Sequence, residues 1–397
     1  MVSALSPSPA ESKTLDPAAV PLGLYLHLPW CIKKCPYCDF NSHESQGPAP
    51  MDAYIDSMVS DLEQALPMVW GRAVQFVFIG GGTPNLLTVA QLDRLLGAVR
   101  ARLPIEPGAE ITMEANPGAT EPLAFQGYRN SGVNRLSIGV QSFDSDALHR
   151  IGRVHDSRQA DAAVESAVSV FERVNVDLMY GLPRQTAEAA LHDLRRAIHF
   201  GVGHVSHYQL TMEPNTIFAN RPPSGLPDEE VVEAIESEGR ALLADAGFIR
   251  YEVSAFARAG QSCRHNLNYW QFGDYLGLGA GAHSKLSLPL EGIFRHNNTR
   301  RPEDYMRLVG EGKGAHRRIE GIAKERLGFE FMLNALRLTA GFGADLFEAR
   351  TGRPLAEVLE GISVGERRGL LRRDRGGWSP TPLGLRFLND LQLIFMH

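Results

Sequence analysis

The sequence contains no run of about 18 uninterrupted apolar residues, so no membrane-spanning helix is expected from it. Its first twenty residues, MVSALSPSPAESKTLDPAAV, have neither a positive opening nor an apolar core. They do not read as a secretory signal, and their Pro, Ser and Ala content predicts a loose tail. Long basic runs are missing and the net charge is −6, which argues against nucleic acid as a main partner, since phosphate binding needs clustered Lys and Arg. The stretch 367–377, RRGLLRRDRGG, is a local exception. Cysteine is scarce, with four residues of which three are close neighbours, so a disulfide framework is excluded and a reducing cytoplasm is the expected compartment. No internal repeat or low-complexity block stands out.

What is present is a chain of 397 residues, 44% hydrophobic, enough for a barrel-sized domain and an appendage. Apolar runs at 24–28, 74–79, 110–114, 135–140, 174–179 and 204–210 predict strands. Between them, amphipathic stretches at 51–66, 89–102, 157–171 and 187–200 predict helices. This alternation predicts an α/β fold with a parallel sheet, and six βα units suit a partial (β/α)6 TIM-like barrel. The expected organisation is a flexible tail over 1–20, the partial barrel over 21–255, a connecting segment over 256–300, and a C-terminal unit over 301–397. That last unit reads as mostly helical, ending in a winged-helix-like appendage with a Gly-Gly turn.

Polar or glycine-rich signatures follow almost every predicted strand. They are a cysteine loop, GGGTPN at 80–85, EANP at 114–117, GVQSF at 139–143 and DLMYGLP at 177–183. In parallel barrels the C-terminal strand ends converge on the face that carries the active site. The cysteine loop, LYLHLPWCIKKCPYCDF, places Cys31, Cys35 and Cys38 at C-x₃-C-x₂-C spacing. Three thiolates can hold three irons of a [4Fe–4S] cubane and leave the fourth iron open to a ligand. A structural role or zinc is the alternative. Zinc would need a fourth ligand from His27, His43 or the distant Cys263.

The cysteine loop and the strand-end signatures together resemble the radical S-adenosylmethionine (SAM) superfamily. The resemblance implies that SAM chelates the open iron and that an electron from the cluster cleaves its sulfonium bond to give a 5′-deoxyadenosyl radical. By the same resemblance, Gly81, Gly82 and Thr83 would meet the amino-acid end of SAM through their backbone. Glu114 would accept from its amino or ribose groups, Gln141 would donate and accept, Arg153 would neutralise its carboxylate, and Asp177 would hold ribose hydroxyls. Tyr37 would shield the cluster, and Tyr25 matches a tyrosine that contacts SAM in similar proteins.

Over nearly its whole length the chain is similar to the oxygen-independent coproporphyrinogen III oxidase group, with LYLHLPWC and RLSIGVQSF typical of it. That oxidase decarboxylates two propionates in haem synthesis and carries a further cysteine two positions after the third cluster ligand. Phe40 stands there in this chain. A second branch of the group, the haem chaperones, carries an HNxxYW signature, matched by His265, Asn266, Tyr269 and Trp270. His265 can ligate haem iron, and Tyr269 and Trp270 offer flat surface to a porphyrin. On residues alone, the same cluster could pack the appendage against the barrel. Cys263 reads as a small buried hydrophobe, and His283, in GLGAGAHS, is expected near the barrel mouth.

This resemblance implies a cytoplasmic protein that binds one [4Fe–4S] cluster, SAM and haem. Its implied partners are acceptor haemoproteins, with possible peripheral contact to membrane ones, and a flavodoxin- or ferredoxin-type electron donor. A monomer or homodimer is expected. The catalytic rival is the oxidase itself. A nucleic-acid-modifying radical enzyme using the basic tail is the other.

Overall fold

The computed structural model describes residues 15–45, 47–119, 124–374 and 376–396, with 316–318 by backbone alone. Six parallel strands, β1 (Leu22–Leu28), β2 (Val74–Gly81), β3 (Ile105–Ala115), β4 (Arg135–Gln141), β5 (Arg173–Tyr180) and β6 (His204–Gln209), pair in chain order. The helices between them are α1 (Met51–Ala65), α2 (Val89–Arg100), α3 (Ala124–Asn130), α4 (Ser157–Val170) and α5 (Ala187–His199). Reciprocal capping boxes fix the starts of α2, between Thr88 and Gln91, and of α4, between Asp156 and Gln159. Apart from α3, for which no helix was expected, these elements match the strands and helices expected from the sequence to within about five residues.

The period of two along each strand sorts the side chains. Leu22, Leu24, Leu26 and Leu28 of β1, Ile111 and Met113 of β3, Leu136 and Ile138 of β4, and Val174 and Val176 of β5 join the main apolar core with the helices. The intervening residues are polar and face the other way. Asn175 donates to Ser137 Oγ (2.7 Å) and to Asp177 Oδ1 (2.8 Å), and Arg173 pairs with Glu110 at 2.8 Å. A hydrogen-bonded polar interior lined by charged groups is unlike the aliphatic filling of a closed barrel.

The sheet runs further than six strands. After α6 (Glu229–Asp245), β7 (Ile249–Arg250) and β8 (Ala255–Ala257) extend it antiparallel beyond β6. Then α7 (Arg264–Trp270) leads to β9 (Asp274–Leu278), which pairs parallel with the free side of β1. The strands β10 (His283–Leu288), β11 (Gly292–Asn298) and β12 (His316–Gly321) continue antiparallel from it, giving one twelve-stranded sheet. The stretch expected as a connecting segment therefore supplies three strands of the main sheet. The stretch expected as mostly helical supplies a fourth. Gly279, at φ +104°, allows this return: a Cβ there would meet the carbonyl oxygen of His27 at 2.5 Å.

A second apolar core gathers Phe331, Phe347, Trp378 and Leu391 under helix α8 (Leu327–Ala335) and the hairpin Leu371–Asp374 with Gly377–Pro380. Of the stretch expected as a loose tail, residues 1–14 lie outside the described residues. Leu15 packs against this second core, and Val20 is buried with its carbonyl oxygen accepting from Arg72 (2.8 Å). Arg375 of the basic stretch also lies outside the described residues.

Candidate functional site

The C-terminal ends of β1 to β6 open on a cavity of about 300 Å³. Its lining contains Cys31, Cys35, Tyr37 and Cys38 from the loop after β1, with Gly81, Gly82 and Thr83 after β2. Glu114, Gln141, Arg153 and Asp177 complete the set of sequence-predicted residues on it. Sequence reasoning missed Asn116, Ser137, Ser206 and Tyr208, which also line it. Asn116 stood in the EANP signature. The other three sit at alternate positions of β4 and β6, a pattern that marks the face once the strands are placed.

The cysteine loop is held close to the barrel. Short strands at Trp30–Cys31 and His43–Glu44 pair across its base. Asn41 Nδ2 donates to the carbonyl oxygens of Ala280 and Arg300, both at 2.9 Å, so the loop is tied to the distant return segment. Cys31 is buried, which pushes its thiol pKa up, while the Thr83 hydroxyl acts in the opposite direction. Arg153 Nη1 lies 3.6 Å from Cys35 Sγ, and Cys38 Sγ lies 3.5 Å from Ser42 Oγ. None of the fourth zinc ligands considered is offered to these thiols. His27 bonds Tyr25 and the carbonyl oxygen of Asn41, His43 bonds that of Arg300, and Cys263 bonds Glu110. Among the described residues, no three Cys, His, Asp or Glu side chains close on a point as single-ion ligands do. A cubane needs more widely spread thiolates, and the three cysteines share one wall that suits it.

The glycine triplet has a different physical reason from the one expected. A Cβ on Gly82 would lie 2.5 Å from the carbonyl oxygen of Trp30, and one on Gly81 would lie 2.7 Å from the His27 ring. The triplet thus lets β2 close against the protein's own cysteine loop. Its N–H groups are also taken: Gly81 by Glu114 Oε2 (3.0 Å), Gly82 by the carbonyl of Leu28 (2.7 Å) and Thr83 by that of Trp30 (2.8 Å). Any backbone contact from these residues to a ligand must come from carbonyl oxygen, which suits a cationic group.

The charged groups of the cavity are complementary to a zwitterion. Burial, reinforced by Asp177, raises the Glu114 pKa to about 7, and burial raises that of Asp177 as well. Arg153 Nη2 donates to Asn116 Oδ1 and to the carbonyl of Gly139, both at 2.6 Å, but its buried Nε has no partner among the described residues. Gln141 sits at φ +69° and accepts from Tyr208 through Oε1 (2.7 Å). A non-glycine residue held there marks a locally strained strand end of the kind found at binding sites. Three thiols, two half-buried carboxyls and a guanidinium with one open donor fit a cluster with SAM beside it.

The HNxxYW residues are elsewhere. Glu110 receives the Arg264 and His265 N–H groups (3.0 and 3.3 Å) and so fixes the start of α7. His265 is buried at 6% exposure. Its ring stacks on Phe78 at 4.5 Å, with Tyr269 at 4.8 Å and Tyr25 at 6.2 Å. Burial lowers its pKa to about 3, and Nδ1 has no partner among the described residues. It lines neither the cysteine-lined cavity nor a second one, and its surroundings are the rings just named. Asn266 is half-buried on α7, and Trp270 lies under the Arg337 guanidinium, 4.3 Å from its ring. Tyr269 lines that second cavity, together with His283 and with Tyr25, which the resemblance had placed at SAM but which is not on the lining that holds the cysteines.

Residues 25–197 match the radical SAM superfamily, and residues 322–387 match the HemN C-terminal domain. The heme chaperone HemW of Escherichia coli is 45% identical over 95% of this chain and 98% of its own length. HemW of Bacillus subtilis is 34% identical over 85% and 89%. Among solved structures, the radical SAM enzyme coproporphyrinogen III oxidase (HemN) of Escherichia coli superposes with a TM-score of 0.82, at 25% identity, over 97% of this chain and 92% of that one. By that identity across nearly the full length of both chains, the protein belongs to the HemW heme-chaperone family of the radical SAM superfamily.

Proposed function

We propose that this chain carries a [4Fe–4S] cluster on Cys31, Cys35 and Cys38, binds SAM in the adjoining cavity, and receives haem for delivery to acceptor haemoproteins in the cytoplasm or at a membrane surface. The observation that carries the reading is the convergence of the three thiols with Glu114, Gln141, Arg153 and Asp177 on one cavity. When bound, such a cluster supplies the electron that cleaves the sulfonium of SAM, and a flavodoxin- or ferredoxin-type protein would provide it.

The chain's own residues have separable tasks. Arg153 sets a positive charge beside Cys35, with Nη1 3.6 Å from the sulfur. The Gly81 N–H donates to Glu114 Oε2 and holds that carboxyl beside the glycine segment. Ser137 and Asn175 hold Asp177 for hydroxyl groups. Tyr37 closes the cavity beside the cluster loop.

The full-length structural likeness to HemN keeps the oxidase as a second reading, but Phe40 stands where the resemblance expects that enzyme's additional cysteine. Anaerobic reconstitution, haem titration and transfer to an apo-haemoprotein test the chaperone reading. Haem uptake and transfer are expected, with no product from coproporphyrinogen, SAM and dithionite. Protoporphyrinogen formation, or no haem uptake, would overturn it.

A further inference from the structure

A second cavity, of about 490 Å³, adjoins the first, and its size is that of a small-molecule or cofactor site. Phe40 belongs to both linings and is 62% exposed, so this one side chain stands between the two spaces. Tyr25 and Tyr269 supply half-buried aromatic surface. His283, the first residue of β10, is exposed on the lining, and its imidazole has no hydrogen-bond partner among the described residues. Arg300 is exposed on the same lining and has no carboxylate partner among the described residues. Its Nε donates to Asn41 Oδ1 at 3.4 Å.

An imidazole free to bind metal, flat aromatic surface and a guanidinium without a carboxylate partner are the three features that a porphyrin iron with propionate groups requires. His265, by contrast, is enclosed by rings.

We propose that the second cavity is the haem site, with His283 as the iron ligand, Tyr25, Phe40 and Tyr269 against the macrocycle, and Arg300 on a propionate. This rests on the haem-chaperone reading and replaces His265 as the ligand. It also makes Phe40 a shared wall: haem on one side and SAM with the cluster on the other would touch the same side chain. A cysteine at that position could not form such a partition.

The test uses the full chain, reconstituted anaerobically and titrated with ferric haem, with the Soret band as readout. His283→Ala is expected to lose the histidine-ligated spectrum and bind haem at least tenfold more weakly, with added imidazole restoring the spectrum. His265→Phe is expected to keep both. Arg300→Gln is expected to weaken binding of natural haem severalfold but not of its dimethyl ester. Unchanged cluster absorbance in each variant shows that the fold is intact. An unchanged spectrum and affinity in His283→Ala, or equal losses of natural and esterified haem in Arg300→Gln, would refute this site while leaving the chaperone reading standing. Failure of the unaltered chain to bind haem would refute both.

Discussion

Replacing His265 separates packing from ligation. The ring is buried against Phe78 and Tyr269, so His265→Ala removes a core aromatic and is expected to cost about 3–5 kcal/mol, in the range of other buried-ring truncations. His265→Phe keeps the ring volume and removes Nδ1, a buried atom without a partner. Leaving such an atom unsatisfied costs about 1–3 kcal/mol, so this variant should be near neutral or more stable at pH 7. The histidine also leaves a pH signature. Its folded pKa is lowered to about 3, chiefly by burial, whereas in the unfolded chain it is about 6.5. A depressed histidine stabilises the fold fully above its unfolded pKa, and that stability is lost as pH falls toward the folded value. Below pH 6.5 the unaltered protein should therefore lose about 1.4 kcal/mol per pH unit relative to His265→Phe, or about 2 kcal/mol by pH 5. Other histidines with lowered pKa values, such as His27 and His207, remain in both proteins and cancel in the difference. Urea unfolding of both proteins from pH 5 to 8 measures it. A pH-independent difference, or a phenylalanine variant as unstable as the alanine one, would refute the packing role.

Two further outcomes follow from the site. Gly82→Ala should be destabilising by about 1–3 kcal/mol and lower the iron content after reconstitution, because its Cβ would press on the backbone of Pro29 and Trp30. Gly97→Ala on α2, with nothing within 4 Å, should stabilise by about 0.5–1 kcal/mol, as thermal unfolding and iron analysis of the pair will show. Glu114 accepts a ligand's donor most strongly when ionised, and its pKa is raised to about 7, so SAM binding measured by equilibrium dialysis should tighten from pH 6 to 7.5, by less than tenfold per unit. Glu114→Gln should bind more weakly and without that slope. The opposite trend would remove Glu114 from the SAM site.

The candidate cluster ligands and much of the cavity were legible because their signal is local. A three-cysteine loop after a strand, and polar groups at the ends of later parallel strands, must converge if those strands form one sheet. The glycine triplet was legible as a special position but not for its reason, since the atoms that exclude a Cβ belong to Trp30 and His27, some fifty residues earlier. The strands after α7 were obscured by glycine-rich sequence whose extended pairing exists only beside β1.

The sequence by itself determined the order of the first six strands, the cysteine loop and the HNxxYW signature, because spacing along a strand or helix decides which neighbours share a face. Tertiary structure alone decided that His265 turns into the barrel interior against Phe78 and that Tyr269 and His283 meet at a second cavity. It also decided that Asn41 ties the cysteine loop to Ala280 and Arg300. The contacts of His265 and Asn41 join residues far apart in the chain, and all of these meetings depend on sheet register and on which segment closes against β1, quantities that no local pattern encodes.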